Sequence, residues 1–161
     1  MQSAISNPTL QIGSRGAAVK ELQALLNRQA SRDQQIVEDG IFGPKTEALV
    51  KTFQRIYFLA VDGIVGSKSW KSFRAGTPTD LPVIGQGSKN VDLVKQLQAA
   101  LNLTAQPKLV VDGIFGSRTE AAVIQLQQRS GREVDRNGKV VVGSKTWTTL
   151  SQQLAYFTFS L

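Results

Sequence analysis

The stretch VEDGIFGPKTEALV at residues 37–50 returns, nearly unchanged, as VDGIFGSRTEAAV at residues 111–123. A repeat of that length constrains the fold more than composition does, because the 161 residues must then build two similar units. The likeness continues on both sides. VKELQALLN answers to VKQLQAALN at an offset of 75, DGIFGPKTEALVKTFQ to DGIFGSRTEAAVIQLQ at 73, and VGSKSWKSF to VGSKTWTTL at 77. The order is kept and only loop lengths change, as a tandem duplication requires. Units at residues 8–75 and 81–155 are expected, with a stiff linker at 76–80. In RAGTPTDLP (74–82), Gly76, Pro78 and Pro82 break the periodic pattern, and each Pro holds its predecessor extended.

Each unit reads as three helices, giving an all-α chain of two tandem three-helix bundles. Val19, Leu22 and Leu26 fall at i, i+3 and i+7, and Val94, Leu97 and Leu101 repeat that spacing. Lys20, Glu21 and Gln23 are expected to face away from the core. The second helix carries Leu49, Phe53 and Ile56 inward, matched by Ala122, Leu126 and Arg129, the last at a fraying end. The third is short, with Trp70 and Phe73 matched by Trp147 and Leu150. Their helical spacing favours core packing over a role as exposed sugar platforms. Extended pieces are confined to residues 10–12 and 81–84.

Four related loops precede helices: DGIFGPKT (39–46), DGIVGSKS (62–69), DGIFGSRT (112–119) and NGKVVVGSKT (137–146). Asp-Gly and Asn-Gly make tight turns, because Gly reaches positive φ and the Asx side chain bonds nearby backbone donors. Asp39, Asp62 and Asp112 are therefore read as turn formers. Pro44 suits a first helical turn, and Ser117 with Glu120 reads as a capping box. A phosphate cradle is the functional alternative. The glycine spacing matches neither the Walker nor the dinucleotide pattern.

Composition removes several chemistries. The chain has no Cys and no His, so disulfides, thiolate or imidazole metal sites and His-centred acid–base catalysis are excluded. Neither a metal nor a cofactor is expected. The net charge of +7 is shared, with ten Lys/Arg against seven Asp/Glu in residues 1–80 and nine against five in 81–161. Such an excess favours anionic partners. No stretch approaches the roughly 20 apolar residues of a membrane span. The opening MQSAISNPTLQIGSRG carries neither the basic nor the apolar region of a secretory signal.

The combined pattern resembles the peptidoglycan-binding-domain-like family of three-helix modules. The resemblance rests on G-x-x-G-x-x-V-x-x-L-Q-x-x-L-N, D-G-x-F-G-x-x-T-E-x-x-V-x-x-F-Q and V-D-G-x-V-G-x-x-[ST]-W. The first copy writes them over Gly13–Asn27, Asp39–Gln54 and Val61–Trp70. The second writes them over Gly85–Asn102, Asp112–Gln127 and Val134–Trp147. VDRNGKVVVG replaces the usual VDGxVG, and Leu126 replaces the usual aromatic. The resemblance implies non-catalytic binding of bacterial peptidoglycan, with a cell-wall hydrolase as a further partner and the cell envelope or secretion as the setting. It also implies a rival, since relatives serve as protein-contacting pro-domains.

A shallow groove for glycan or stem peptide would use residues that the core does not demand. Arg55 and Tyr57 lie in FQRIYFLAVDG, beyond the predicted second helix, and Arg129 and Arg132 lie in the matching LQQRSGREVDRNG. Arg15 and Lys89 precede the first helices. Tyr57, Arg55, Arg15, Arg129 and Arg132 are thus the expected ligand contacts, with guanidinium groups suited to carboxylates. No catalytic residue is expected. A glycosidase needs two acids ~5–9 Å apart across a cleft, whereas Glu38 and Asp39 are adjacent in a turn. Nucleic-acid binding is disfavoured because the Lys/Arg residues are scattered without a basic stripe or stacking aromatics. A monomer is expected. In LAYFTFSL (154–161), Phe157, Phe159 and Leu161 alternate as a strand would and read as a packing segment.

Overall fold

A computed structural model describes residues 7–160. The first unit contains α1 (Ala17–Asn27), a 3-10 turn (Arg32–Gln34), α2 (Pro44–Ile56) and α3 (Ser67–Ala75). The second contains β1 (Ile84–Gly85), α4 (Val91–Leu101), α5 (Ser117–Ser130), β2 (Val141–Val142) and α6 (Ser144–Phe159). The chain divides into two compact units: residues up to Thr79 with those from Thr158, and Asp80–Phe157.

The apolar stripes account for the helices. Val19, Leu22 and Leu26 are fully enclosed, as are Val94, Leu97 and Leu101. Leu49, Phe53 and Ile56 of α2 close the first core with Trp70 and Phe73. Trp147 and Leu150 do the same in the second. Burying each such side chain stabilises the folded state by roughly 1.5–3 kcal/mol. Both indoles also satisfy their one donor: Trp70 Nε1 donates to the Pro8 carbonyl at 2.8 Å, and Trp147 Nε1 to the Pro82 carbonyl at 3.2 Å. A buried Trp needs such a partner.

Extended structure is small. Leu10 and Val65 form an isolated bridge in the first unit, with N–H···O distances of 3.1 and 2.8 Å. In the second unit the equivalent pairing grows into antiparallel β1–β2, registering Ile84 with Val142 and Gly85 with Val141. A further bridge joins Arg15 to Ile41. It draws the Gly40 turn against the chain at Gly16, with Gly16 N–H donating to the Gly40 carbonyl at 2.9 Å. Gly40 has φ +74°, and a Cβ there would lie 3.1 Å from the Gly16 oxygen. Both conformation and space require glycine.

Three expectations are corrected. The tail is helical through Phe159 rather than a strand; Leu161 lies outside the described residues. Phe159, grouped with the first unit, packs on Phe53 with ring centroids 5.4 Å apart and planes tilted by 37°. Ser117 does not cap α5: it is the first helical residue, Gly116 occupies the cap position, and no side chain bonds there. Finally, α2 extends through Ile56, so Arg55 lies in its last turn rather than beyond it.

Candidate functional site

The glutamines of the repeated motif face inward and hold its Asp-Gly turns, whose Asp residues are exposed, from behind. Gln23, expected to face solvent, is 1% exposed. Its side-chain amide spans the turn before α2. Nε2 donates to Asp39 Oδ1 at 3.0 Å, to the Ile41 carbonyl at 3.1 Å and towards Thr46 Oγ1 at 3.2 Å, while Oε1 accepts from Gly40 N–H at 2.9 Å. Asp39 closes the circuit by accepting from Ile41 N–H at 2.9 Å. A glutamine enclosed by apolar neighbours is tolerated because every polar atom finds a partner.

The same lock occurs twice more. Gln54 ties Asp62, Gly63 and Ile64 before α3, and Gln98 ties Asp112, Gly113 and Ile114 before α5. The Gln98 amide holds the Asp112 carboxyl below the usual carboxylate range, and the Gln23 amide does so for Asp39, aided by the charge of Arg15. The Asp side chains are thus committed to turn geometry.

The fourth copy differs in chemistry. Gln127 Nε2 still reaches the Val141 carbonyl at 2.7 Å and Thr146 Oγ1 at 3.0 Å, but no Asp stands beside it. Glu133 takes that place. Its carboxylate accepts from Gly143 N–H at 2.9 Å, Lys145 N–H at 3.0 Å and Thr146 N–H at 3.0 Å, covering the first turn of α6. An anion at a helix N-terminus is favoured by the free N–H groups there. Burial raises the Glu133 pKa, but the hydrogen bonds from Thr146, Lys145 and Gly143 outweigh it and the net direction is downward. The Asn137-Gly138 turn is served separately by Asp135, which accepts from Asn137 and Lys139 N–H.

A second internal device follows α1 and α4. The Asn27 amide pairs with both backbone groups of Ile36, at 2.8 and 2.9 Å, as Asn102 does with Leu109 at 2.9 and 2.7 Å. Neither device was read from the sequence. The signal was present: each lock glutamine directly follows a core Leu or Phe, in Leu22-Gln23, Phe53-Gln54, Leu97-Gln98 and Leu126-Gln127.

The expected ligand contacts are divided by burial. Tyr57 is 3% exposed, which corrects the expectation that it faces a ligand. Its ring packs on Phe53 and Phe73 at centroid distances of 5.8 and 6.2 Å, and its hydroxyl donates to Gln29 Oε1. Burial pushes the phenol pKa up. Arg15, Arg55, Arg129 and Arg132 are all exposed, as is Lys89. Arg15 lies beside the Asp39 turn, and Arg129 lines a cleft of about 170 Å³ in the second unit. Arg55 ends α2, while Arg132 follows the Gly131 cap of α5. Arg74, which sequence reasoning passed over, lies 4.6 Å above the Trp70 ring and bonds Glu21 at 2.9 Å. Among the described residues there is no group of three or more acidic side chains placed to hold a metal ion. No helix among them is long and apolar enough to cross a membrane.

Comparison with known proteins gives two matches to a single family, described as "Putative peptidoglycan binding domain", at residues 15–72 and 90–150. The chain is 47% identical over 58 residues to the zinc D-Ala-D-Ala carboxypeptidase of Streptomyces albus G, covering 36% of this chain and 23% of that protein. It is 32% identical over 140 residues to the N-acetylmuramoyl-L-alanine amidase CwlM of Mycobacterium tuberculosis, covering 78% of this chain and 34% of that protein. The chain therefore spans 23% of the length of one of these relatives and 34% of the other. Among solved structures, the N-terminal domain of SleB matches at 33% identity and a TM-score of 0.42, over 45% of this chain and 97% of that one.

Proposed function

This chain belongs to the peptidoglycan-binding domain family, twice over, and from that premise we propose that both units bind peptidoglycan without catalysing a reaction on it. They would direct a wall hydrolase to its substrate or hold a protein at the envelope. The carrying observation is the commitment of the motif's aspartates to their own turns. Asp39, Asp62 and Asp112 each serve a glutamine-locked turn, which commits these three carboxylates to structure rather than to acid–base work. Arg15, Arg55, Arg129 and Arg132 are exposed and suit the carboxylates of an anionic polymer. The relatives add weight, since both are named as enzymes of cell-wall chemistry and the chain matches a minor part of each.

Two weak sites on one chain gain avidity on a repeating polymer when geometry lets both engage. The test is retention on purified, protein-free sacculi at low salt, with duplex and single-stranded DNA as competitors. Cosedimentation that DNA does not displace supports the reading. A protein that stays in the supernatant defeats it and leaves the protein-contact role of the same fold.

A further inference from the structure

The duplication provides an internal standard for each position. In the second unit a cleft of about 170 Å³ opens among α4, α5 and α6, lined by Leu101, Ala122, Leu126, Arg129 and Gln153. At the equivalent place the first unit is filled. Its α2 offers Leu49, Phe53 and Ile56, all at most 5% exposed, followed by the buried Tyr57. The second unit has Ala122, Leu126, Arg129 and Ser130 at those four positions. Two exchanges remove core volume, one substitutes a guanidinium for an aliphatic side chain, and one removes an aromatic ring. All four fall on a single helix segment.

The opposing wall changes in the same sense. Helix α3 ends at Gly76, in left-handed conformation with φ 66°, whereas α6 continues through the equivalent position and places Gln153 there. Gln153 Oε1 is buried and has no hydrogen-bond partner among the described residues. An unpaired buried acceptor is costly and requires an explanation. Arg129, on the other wall, has no acidic partner among the described residues. Shortened side chains at Ala122 and Leu126, the Gln153 side chain and a free guanidinium thus line one hollow.

We infer that this cleft receives the carboxylate end of a short peptide whose last residue is small and apolar. Arg129 takes the carboxylate, the Gln153 amide turns out of its buried position to accept from the last peptide N–H, and the space beside Ala122 and Leu126 holds the side chain. The inference rests on the wall-binding reading and assigns stem peptide, rather than glycan, to the second unit.

The experiment is an amide-resolved NMR titration of the full chain with N-acetyl-alanyl-alanine, in both stereochemical forms, and with its C-terminal amide. Shifts confined to the α4–α6 cleft are expected, including the Gln153 side-chain amide, with no response at Leu49–Tyr57. Amidation and Arg129→Gln are each expected to weaken binding about ten-fold or more, the loss of one charge-assisted contact. The double variant Ala122→Leu with Leu126→Phe restores the first unit's bulk and is expected to abolish peptide binding while the chain stays folded. Equal affinity for acid and amide overturns the inference, as does the absence of cleft shifts at millimolar peptide. Sacculus retention measured in parallel keeps the two readings apart. Retention without cleft binding removes this subsite alone, and loss of retention in the unaltered protein removes the wall-binding reading.

Discussion

Gln98 Nε2 stands 2.9 Å from Asp112 Oδ1, while Gln98 Oε1 accepts from Gly113 N–H at the same distance. One side chain thus fixes both residues of a tight turn and the entry to the helix that follows. Gln98→Leu keeps the apolar volume but leaves Gly113 N–H buried and unpaired. A loss of about 1–3 kcal/mol is expected. Urea unfolding checks it, and a change below a few tenths of a kcal/mol would show the lock to be ornamental.

Tyr57 is a packing residue, and its two functions separate by substitution. Tyr57→Ala removes an aromatic side chain from the core and is expected to cost about 3–5 kcal/mol. Tyr57→Phe keeps the ring contacts and loses the hydroxyl bond to Gln29, so sacculus retention is expected to stay unchanged. The folded phenol pKa lies above its ordinary value of 10.0. Its contribution to stability is therefore complete below pH 10 and is lost as pH rises beyond it. Melting curves between pH 8 and pH 11 follow this directly.

Glu133 gives the second unit an acid-sensitive helix entry. Its folded pKa is lowered from 4.5, so its contribution is present above that pH and is lost as pH falls through the folded value. Thermal unfolding at pH 7 and pH 3 is expected to show a destabilisation on the acid side that Glu133→Gln reduces. The variant is also expected to be the less stable protein at pH 7. An unchanged acid limb in Glu133→Gln contradicts the assignment.

Retention on sacculi is expected to decline as salt rises, because exposed charges are screened beyond about 10 Å at 0.1 M ionic strength. Replacing Arg15, Arg55, Arg129 and Arg132 together by Ala is expected to lower retention and flatten the salt dependence. These side chains are exposed, so the unfolding midpoint is expected to move little. Full retention by the quadruple variant rules out the arginines as the contact surface.

Periodicity was enough for the architecture. Val19, Leu22 and Leu26 repeat in Val94, Leu97 and Leu101, and all six are buried as their spacing requires. The Asp-Gly turns were legible for the same reason, since Asp39 bonds Ile41 N–H within its own turn. Gln23 was not. A helical wheel ranks glutamine as a solvent residue, and only the folded chain brings Asp39, 16 positions away, within 3.0 Å. Tyr57 was misplaced because a ring next to a helix end gives no sign of which way it points. Glu133 was hidden by the Asn137-Gly138 pair, which imitates the Asp-Gly motif while the capping carboxylate comes from four residues earlier.

The indole bonds have a consequence for how such modules multiply. Trp70 holds Pro8, and Trp147 holds Pro82, so each unit's entering strand is fastened to its last helix. Both partners of each bond belong to the same unit. A gene segment copied in line therefore carries both ends of this fastening with it, and neither copy borrows the bond from its neighbour.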